Sequence, residues 1–119
     1  MLIMLLPKVL AIQHDGDLAV TLNLHISEHL DFFPGHFPGH PILPGVVQLH
    51  WAIHYGGELL PMVGSFVRMD NIKFNAIVLP NANMDLSLQW HSDKTHLEFI
   101  FSDHVKKFSS GRVVFGGLA

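Results

Sequence analysis

Histidines are concentrated in one short stretch of this chain, between Phe32 and Tyr55: His36, His40, His50 and His54. Imidazole is the side chain that most readily gains or loses a proton near neutral pH. A histidine held beside a substrate can therefore act as a general base or a general acid. Histidines are also common metal ligands, so the same stretch has two possible chemistries.

Proton transfer is the chemistry that we favour over metal binding. His50 and His54 are four residues apart and would share one face of a helix, as two zinc ligands do. However, the stretch lacks the glutamate of an HExxH motif, and the chain contains no cysteine. The lack of cysteine also excludes disulfide bonds and a thiolate nucleophile. We expect no metal ion at these histidines.

The histidines lie on two different predicted elements. The first two belong to a loop in which each proline fixes its own φ and keeps the preceding residue out of the helical region: Pro34, Pro38, Pro41 and Pro44. The loop should therefore be stiff and extended. From Gly45 the chain has no proline until Pro61, which predicts a helix over about Gly45–Leu60. Its apolar residues point in all directions round the axis, which predicts a helix buried on every side.

Period-two alternation of apolar and polar residues predicts strands before and after the helix. The first two strands, within 9–12 and 18–26, are joined at Asp15-Gly16, a strong hairpin signal. Four more strands are predicted over 65–74, 84–90, 95–101 and 107–115. The helix is the only element that can cover the resulting sheet. We therefore predict an α+β fold and a single domain, residues 1–119, in which an antiparallel sheet wraps around one central helix.

The composition predicts an oligomer. Hydrophobic residues make up 49% of the 119 residues, which is high for a small monomer. A sheet wrapped in a single layer also leaves open edge strands, which commonly pair with a second copy. We expect at least a dimer.

Charge and hydropathy limit the possible partners. The formal net charge of −3 argues against nucleic acid, which usually requires a basic face. Six of the seven basic residues lie from Arg68 onward. The second half could therefore bind an acidic protein, with Arg68 and Lys73 as the first candidates. The apolar segment Met1–Leu6 is too short for a signal peptide or a membrane span, so we expect a cytoplasmic protein that does not bind membranes.

The segment HFPGHPILPGVV, residues 36–47, resembles the signature of the 3-hydroxyacyl-(acyl carrier protein) dehydratases of fatty-acid synthesis. The later segment IKFNAIVLPNA, residues 72–82, is similar to a strand and proline turn of that family. The resemblance extends over essentially the whole chain and implies a hot-dog fold, in which a sheet wraps a central helix. It also implies a reaction without metal or cofactor. In this reaction a 3-hydroxyacyl thioester on acyl carrier protein loses water to become the trans-2-enoyl thioester.

The same resemblance implies roles for particular residues. His36 matches the catalytic histidine of the family, and Gly45 matches the glycine whose backbone N–H meets the thioester carbonyl. The second catalytic side chain of the family is a Glu or Asp fourteen positions after the histidine, and here that position is His50. His54 falls where many members have glutamine. We expect four residues to line the substrate site: Phe37, Pro44, Val46 and His54.

Dehydration would give each of these groups a defined task. The base, His36, removes a proton from the carbon beside the thioester carbonyl, and the enolate oxygen that develops needs fixed donors. Gly45 at the helix start offers an unpaired N–H supported by the helix dipole, although a glycine here could also serve a tight turn. A protonated His50 could donate the proton that the leaving hydroxide needs. Alternatively, His50 is inert and a partner subunit supplies the acid.

Three functions remain open at this point. The first is the dehydratase, acting in fatty-acid or specialised polyene or polyketide synthesis as a homo-oligomer. The second is a hot-dog acyl thioesterase, which would release a free acid. The third is a non-catalytic subunit that completes an active paralogue in a heterodimer, and the loss of the helix carboxylate supports it.

Overall fold

Two stretches of the chain, residues 6–29 and 42–117, are described by the computed structural model. They form one α-helix and six strands: β1 Lys8–His14, β2 Ala19–His25, α1 Gly45–Leu59, β3 Ser65–Phe74, β4 Asn83–His91, β5 His96–Ser102 and β6 Lys107–Gly116. Every strand pair is antiparallel, and the spatial order is β1-β2-β4-β5-β6-β3. The helix contacts β4 and β5 in the middle of the sheet. The predicted α+β fold, with an antiparallel sheet around one central helix, is therefore confirmed.

The core lies between the inner face of the sheet and one face of α1. Strands β4 and β5 alternate buried and partly exposed residues along most of their length, because successive side chains point to opposite faces. The inward set is fully or almost fully buried and includes Leu22, Leu86, Trp90, Phe99 and Phe101. Each large side chain removed from water in this way contributes about 1.5–3 kcal/mol. The helix adds Trp51 and Ala52, which are also fully buried.

The prediction that the helix is buried on every side is wrong for the described chain. Residues such as Val47 and Trp51 face the sheet and are buried, whereas His50 is exposed and Val46 is 71% exposed. The physical reason is that a single sheet covers only one side of a helix. The apolar residues on the other side need a second surface to cover them.

The outermost strand β3 pairs only with β6 and exposes large apolar side chains. Phe66, Val67 and Phe74 are each at least 50% exposed. At the opposite edge, β1 exposes Leu10 and Ile12 in the same way. Exposed apolar edge strands are sites where a further strand can pair, which is in keeping with the expected dimer.

Irregular pairing in β3 decides which of its side chains face the helix. Asp70 pairs with Arg112, and Lys73 pairs with Ser110, so two residues of β3 oppose one of β6 between them. An extra residue of this kind shifts the alternation of faces. Lys73 consequently shares the outer face with Asp70, and the next residue, Phe74, points towards the helix.

Candidate functional site

The candidate site is built around the first turn of α1. The residue before the helix, Pro44, has extended dihedral angles (φ −62°, ψ 146°) and provides no side-chain cap, and the first turn contains no acidic residue. Helix geometry leaves the first N–H groups, including that of Gly45, without an intrahelical acceptor. The approach to the helix is fixed because the Leu43 N–H donates to the Val78 carbonyl oxygen over 2.8 Å. The first turn therefore presents a positive helix end with free donors.

Gly45 is closely packed against another side chain and does not lie in a turn. Its backbone is helical and does not have a positive φ, so the conformation alone does not require glycine. A Cβ placed on Gly45, however, would lie 2.6 Å from Cζ of Phe74. The aromatic ring thus rests directly on the Gly45 backbone at the helix start. The tight turn that the sequence analysis allowed is therefore not the reason for the glycine, and close packing against Phe74 is a reason that the sequence analysis missed. The donor role of the Gly45 N–H stays a prediction.

A buried polar pair, which the sequence analysis missed, connects the same helical turn to the sheet. The Ser109 hydroxyl on β6 donates to Oε1 of Gln48 over 2.6 Å, and the two residues are 0% and 2% exposed. The available signal was a single glutamine inside the apolar run from Val46 to Ile53. A buried amide in such a run needs a partner from another element.

His50 and His54 share the helix face that points away from the sheet, as their spacing predicted. Their ring centroids are 6.4 Å apart, with the planes inclined by 20°. His50 is exposed and His54 is half-buried. His54 also contacts the Tyr55 ring edge to face, with centroids 4.9 Å apart. Burial raises the pKa of Tyr55, so its hydroxyl stays protonated in the neutral range.

The remaining expected site residues divide into two groups. Pro44 is half-buried at the helix start and Val46 is exposed beside it, so both lie next to Gly45. His36 and Phe37, with His40, fall outside the described residues. The described part therefore places Gly45, His50 and His54 on one helix and brings only the two histidines into contact. The roles of His36 and Phe37 stay predictions.

Other histidines lie on the sheet and do not join this site. His91 and His96 are cross-strand partners on β4 and β5, with ring centroids 4.5 Å apart. His91 Nε2 lies 3.1 Å from Oε1 of Glu98. Partial burial, followed by the positive charges of His91 and Arg112, lowers the pKa of His96.

Two further observations concern metals and membranes. Within residues 6–29 and 42–117, no group of three or more His, Asp or Glu side chains is placed to hold a metal ion. In the same ranges, no helix is both long and apolar enough to cross a membrane.

Comparison with known proteins identifies the family. The family model described as ApeI-like, ApeI dehydratase, matches residues 11–112. This chain belongs to the ApeI-like dehydratase family. The resemblance to the 3-hydroxyacyl-(acyl carrier protein) dehydratases is thereby confirmed at the level of a related thioester dehydratase family.

ApeI-like relatives and structures agree with this assignment. The solved dehydratase heterocomplex ApeI:P from Xenorhabdus doucetiae contains a chain that superposes with a TM-score of 0.88 at 29% identity, covering 94% of this chain and 99% of that one. The hot-dog fold is thus confirmed. An uncharacterized thioester dehydrase from Halalkalibacterium halodurans is 28% identical over 109 residues, covering 81% of this chain and 70% of that protein.

A FabZ-type dehydratase is also similar. The 3-hydroxyacyl-[acyl-carrier-protein] dehydratase FabZ of Geobacter metallireducens is 37% identical over 75 residues, covering 56% of this chain and 49% of that enzyme. The matched part therefore spans about half the length of this relative. Family membership follows from these matches, and the reaction of this particular chain is a separate question.

Proposed function

We propose that residues 1–119 form one dehydratase domain that removes water from a 3-hydroxyacyl thioester carried by acyl carrier protein. The observation that carries the proposal is the uncapped start of α1 at Gly45, held against Phe74, in a chain of the ApeI-like family. The N–H of Gly45 can donate to the thioester oxygen as negative charge develops on it. A donor fixed before the reaction costs no reorganisation, and this is usually the largest catalytic term.

The proposed reaction needs a base and an acid. His36 takes the proton from C2, and the electron pair moves to the thioester oxygen beside the Gly45 N–H. As the carbonyl re-forms, the C2–C3 double bond forms and the C3–O bond breaks. His50 gives its proton to the departing hydroxide, which leaves as water. The roles of His36 and His50 come from the resemblance and from the chemistry of imidazole.

A second subunit is part of this proposal. The face of α1 that carries Val46 and His50 is open, and the β3 edge exposes Phe66 and Val67. A similar chain comes from a structure described as a heterocomplex. We infer that the chain assembles as a homo-oligomer or with a paralogue, and that the partner covers this face. Should His50 be inert, the partner would supply the acid.

The test is an assay of the purified chain with 3-hydroxyacyl and trans-2-enoyl thioesters on acyl carrier protein. Interconversion of the two supports the dehydratase, in fatty-acid or specialised polyene or polyketide synthesis. Release of free acid would instead identify a thioesterase. Activity that appears only after a paralogue is added would show that the chain is one subunit of a heteromeric enzyme. Alanine in place of His36 here, or of the matching histidine in the paralogue, would then locate the active base.

A further inference from the structure

A groove on the outer face of the sheet has a charge arrangement that the proposed reaction does not use. It lies where β3, β5 and β6 adjoin, on the side opposite α1, and has a volume of about 310 Å³. Its charged and polar lining comprises Asn71, Lys73, Glu98, Lys107, Ser110 and Arg112. Three of these side chains are cationic and one is anionic, so the groove carries a net positive charge.

The carboxylates nearest to Arg112 in the sheet are bound to other groups. Arg112 pairs in register with Asp70 on one side and with Glu98 on the other. Asp70 instead accepts from Nε of Arg68 at 3.0 Å, and Glu98 contacts His91 Nε2 at 3.1 Å. Neither carboxylate forms an ion pair with Arg112 within 4 Å.

The two lysines of the groove, like Arg112, form no ion pair with a carboxylate of the described residues. In residues 6–29 and 42–117, the ion pairs closer than 4 Å are those of Arg68 with Asp70 and His91 with Glu98. Lys73, Lys107 and Arg112 thus have no carboxylate partner in the described part of the chain. A concave surface with three unpaired cations raises the local concentration of anions.

Local irregularities of the sheet create this cluster. The irregular pairing between Asp70 and Lys73 keeps Lys73 on the outer face, and Asn71 within it has a positive φ of 54°. Bulges often redirect a side chain next to a functional surface. The sheet thereby directs Lys73 and Arg112, from two neighbouring strands, towards one groove.

The spacing of the cations indicates the type of anion. Lys107 and Arg112 are five positions apart on β6, which corresponds to roughly 13–16 Å along a strand containing an irregularity. The separation of these two cations exceeds the size of one phosphate or one carboxylate, and Lys73 lies between them, opposite Ser110. This spacing suits several carboxylates displayed together on a protein surface, for example on successive turns of an acidic helix.

We propose that this groove docks the carboxylate-rich surface of an acidic protein partner. That the partner is an acyl carrier protein rests on the proposed function. Lys73 is next to Phe74 at the end of β3. Phe74 points to the inner face of the sheet and packs on Gly45, whereas Lys73 points to the outer face, where the docked partner would lie. Arg68, the other basic residue expected to dock a carrier, is already paired with Asp70 and contributes less.

The test measures binding of an acyl carrier protein that bears no thioester, so that it does not depend on catalysis. We expect Lys73→Glu and Lys107→Glu each to weaken binding about tenfold, because reversing a peripheral interface charge replaces attraction by repulsion. Lys8→Glu, on the distant strand β1, is the matched control and should leave binding unchanged. Glu98→Gln should strengthen binding, since it removes the carboxylate that lines the groove among residues 6–29 and 42–117.

The possible outcomes separate this proposal from the proposed function. Unchanged carrier binding by folded Lys73→Glu and Lys107→Glu proteins would overturn the docking site, whatever the enzyme activity. Equal weakening by Lys8→Glu would also overturn it, because the effect would then be one of net charge. Loss of carrier binding in millimolar inorganic phosphate at constant ionic strength would show a small-anion site instead. An inactive chain with the expected binding differences would contradict the proposed function and leave the docking site standing.

Discussion

Phe74 and Ser109 are directly opposed in the β3–β6 pair, and both contact the first turn of α1. Phe74 places its ring on the Gly45 backbone, and Ser109 donates its hydroxyl hydrogen to the Gln48 amide. One register position of the sheet therefore fixes the helix start by an apolar and a polar contact. The direction of the Gly45 N–H, and with it the proposed oxyanion site, depends on this pair.

Gly45→Ala should lower the free energy of unfolding by about 1–2 kcal/mol, because the added Cβ forces the Phe74 ring off the helix. Activity should fall as well, since the helix start moves. Gly57→Ala is the matched control: its added Cβ meets nothing within 4 Å, and alanine in an exposed helix position gains about 0.5–1 kcal/mol. Urea denaturation measures both. If Gly45→Ala were as stable as Gly57→Ala, the contact would not constrain the helix.

Ser109→Ala should cost about 1–3 kcal/mol, because the Gln48 oxygen is left buried without its donor. The double variant Ser109→Ala with Gln48→Leu should regain part of this loss, since an apolar pair has no polar group to satisfy. Ser110→Ala, whose side chain faces the outer groove, serves as the control. A double-mutant cycle in urea measures the coupling. Strict additivity of the two substitutions would show that the pair does not act together.

His36→Ala should reduce dehydration by about 10²–10⁴-fold while the fold is kept, because a positioned acid or base typically contributes that much. His50→Ala should also lose activity if His50 donates the proton, and the activity of the native protein should then decrease with increasing pH. His50→Glu restores the family's carboxylate and should retain activity. His104→Ala, in the exposed turn before β6, is the control.

Rates with a 3-hydroxyacyl thioester on acyl carrier protein decide among these outcomes. Full activity of His50→Ala in a homo-oligomer would refute the donor role. If His50→Ala is fully active only after a paralogue is added, the acid lies on the partner chain instead.

Phe66→Asp should dissociate the oligomer, because a charge would replace an exposed apolar side chain on the β3 edge. Leu10→Asp makes the same change on β1, with nearly equal exposure of the native residue (53% against 54%), and should leave assembly intact. Sedimentation velocity at micromolar concentration gives the assembly state. A native protein that is already monomeric, or equal effects of the two variants, would contradict assembly through β3.

The lowered pKa of His96 predicts a pH dependence of stability. Its unfolded-state pKa is near 6.5, so below that pH the unfolded chain binds a proton more readily than the folded one. This residue should therefore destabilise the fold as the pH falls below about 6.5 and have no effect well above that value. His96→Gln should flatten the dependence between about pH 8 and pH 5. Urea midpoints across this range test it, and an unchanged slope in the variant would assign the effect to other histidines.

The sequence by itself determined the elements and the family. Prolines on either side of an apolar run delimited α1. Apolar runs, period-two alternation and turn residues together located the six strands, because these signals are local along the chain. The motif at residues 36–47 indicated the dehydratase family, since it preserves residue type and spacing over a continuous segment.

Only the tertiary structure decided what surrounds the helix start. Gln48 and Ser109 are 61 positions apart in sequence, and nothing local to either residue indicates the other. The contact of Phe74 with Gly45 depends on the shifted alternation in β3, which a regular period-two pattern does not reveal. The open face of α1 was likewise hidden, because an apolar pattern shows that a surface will be covered and does not show whether the same chain covers it.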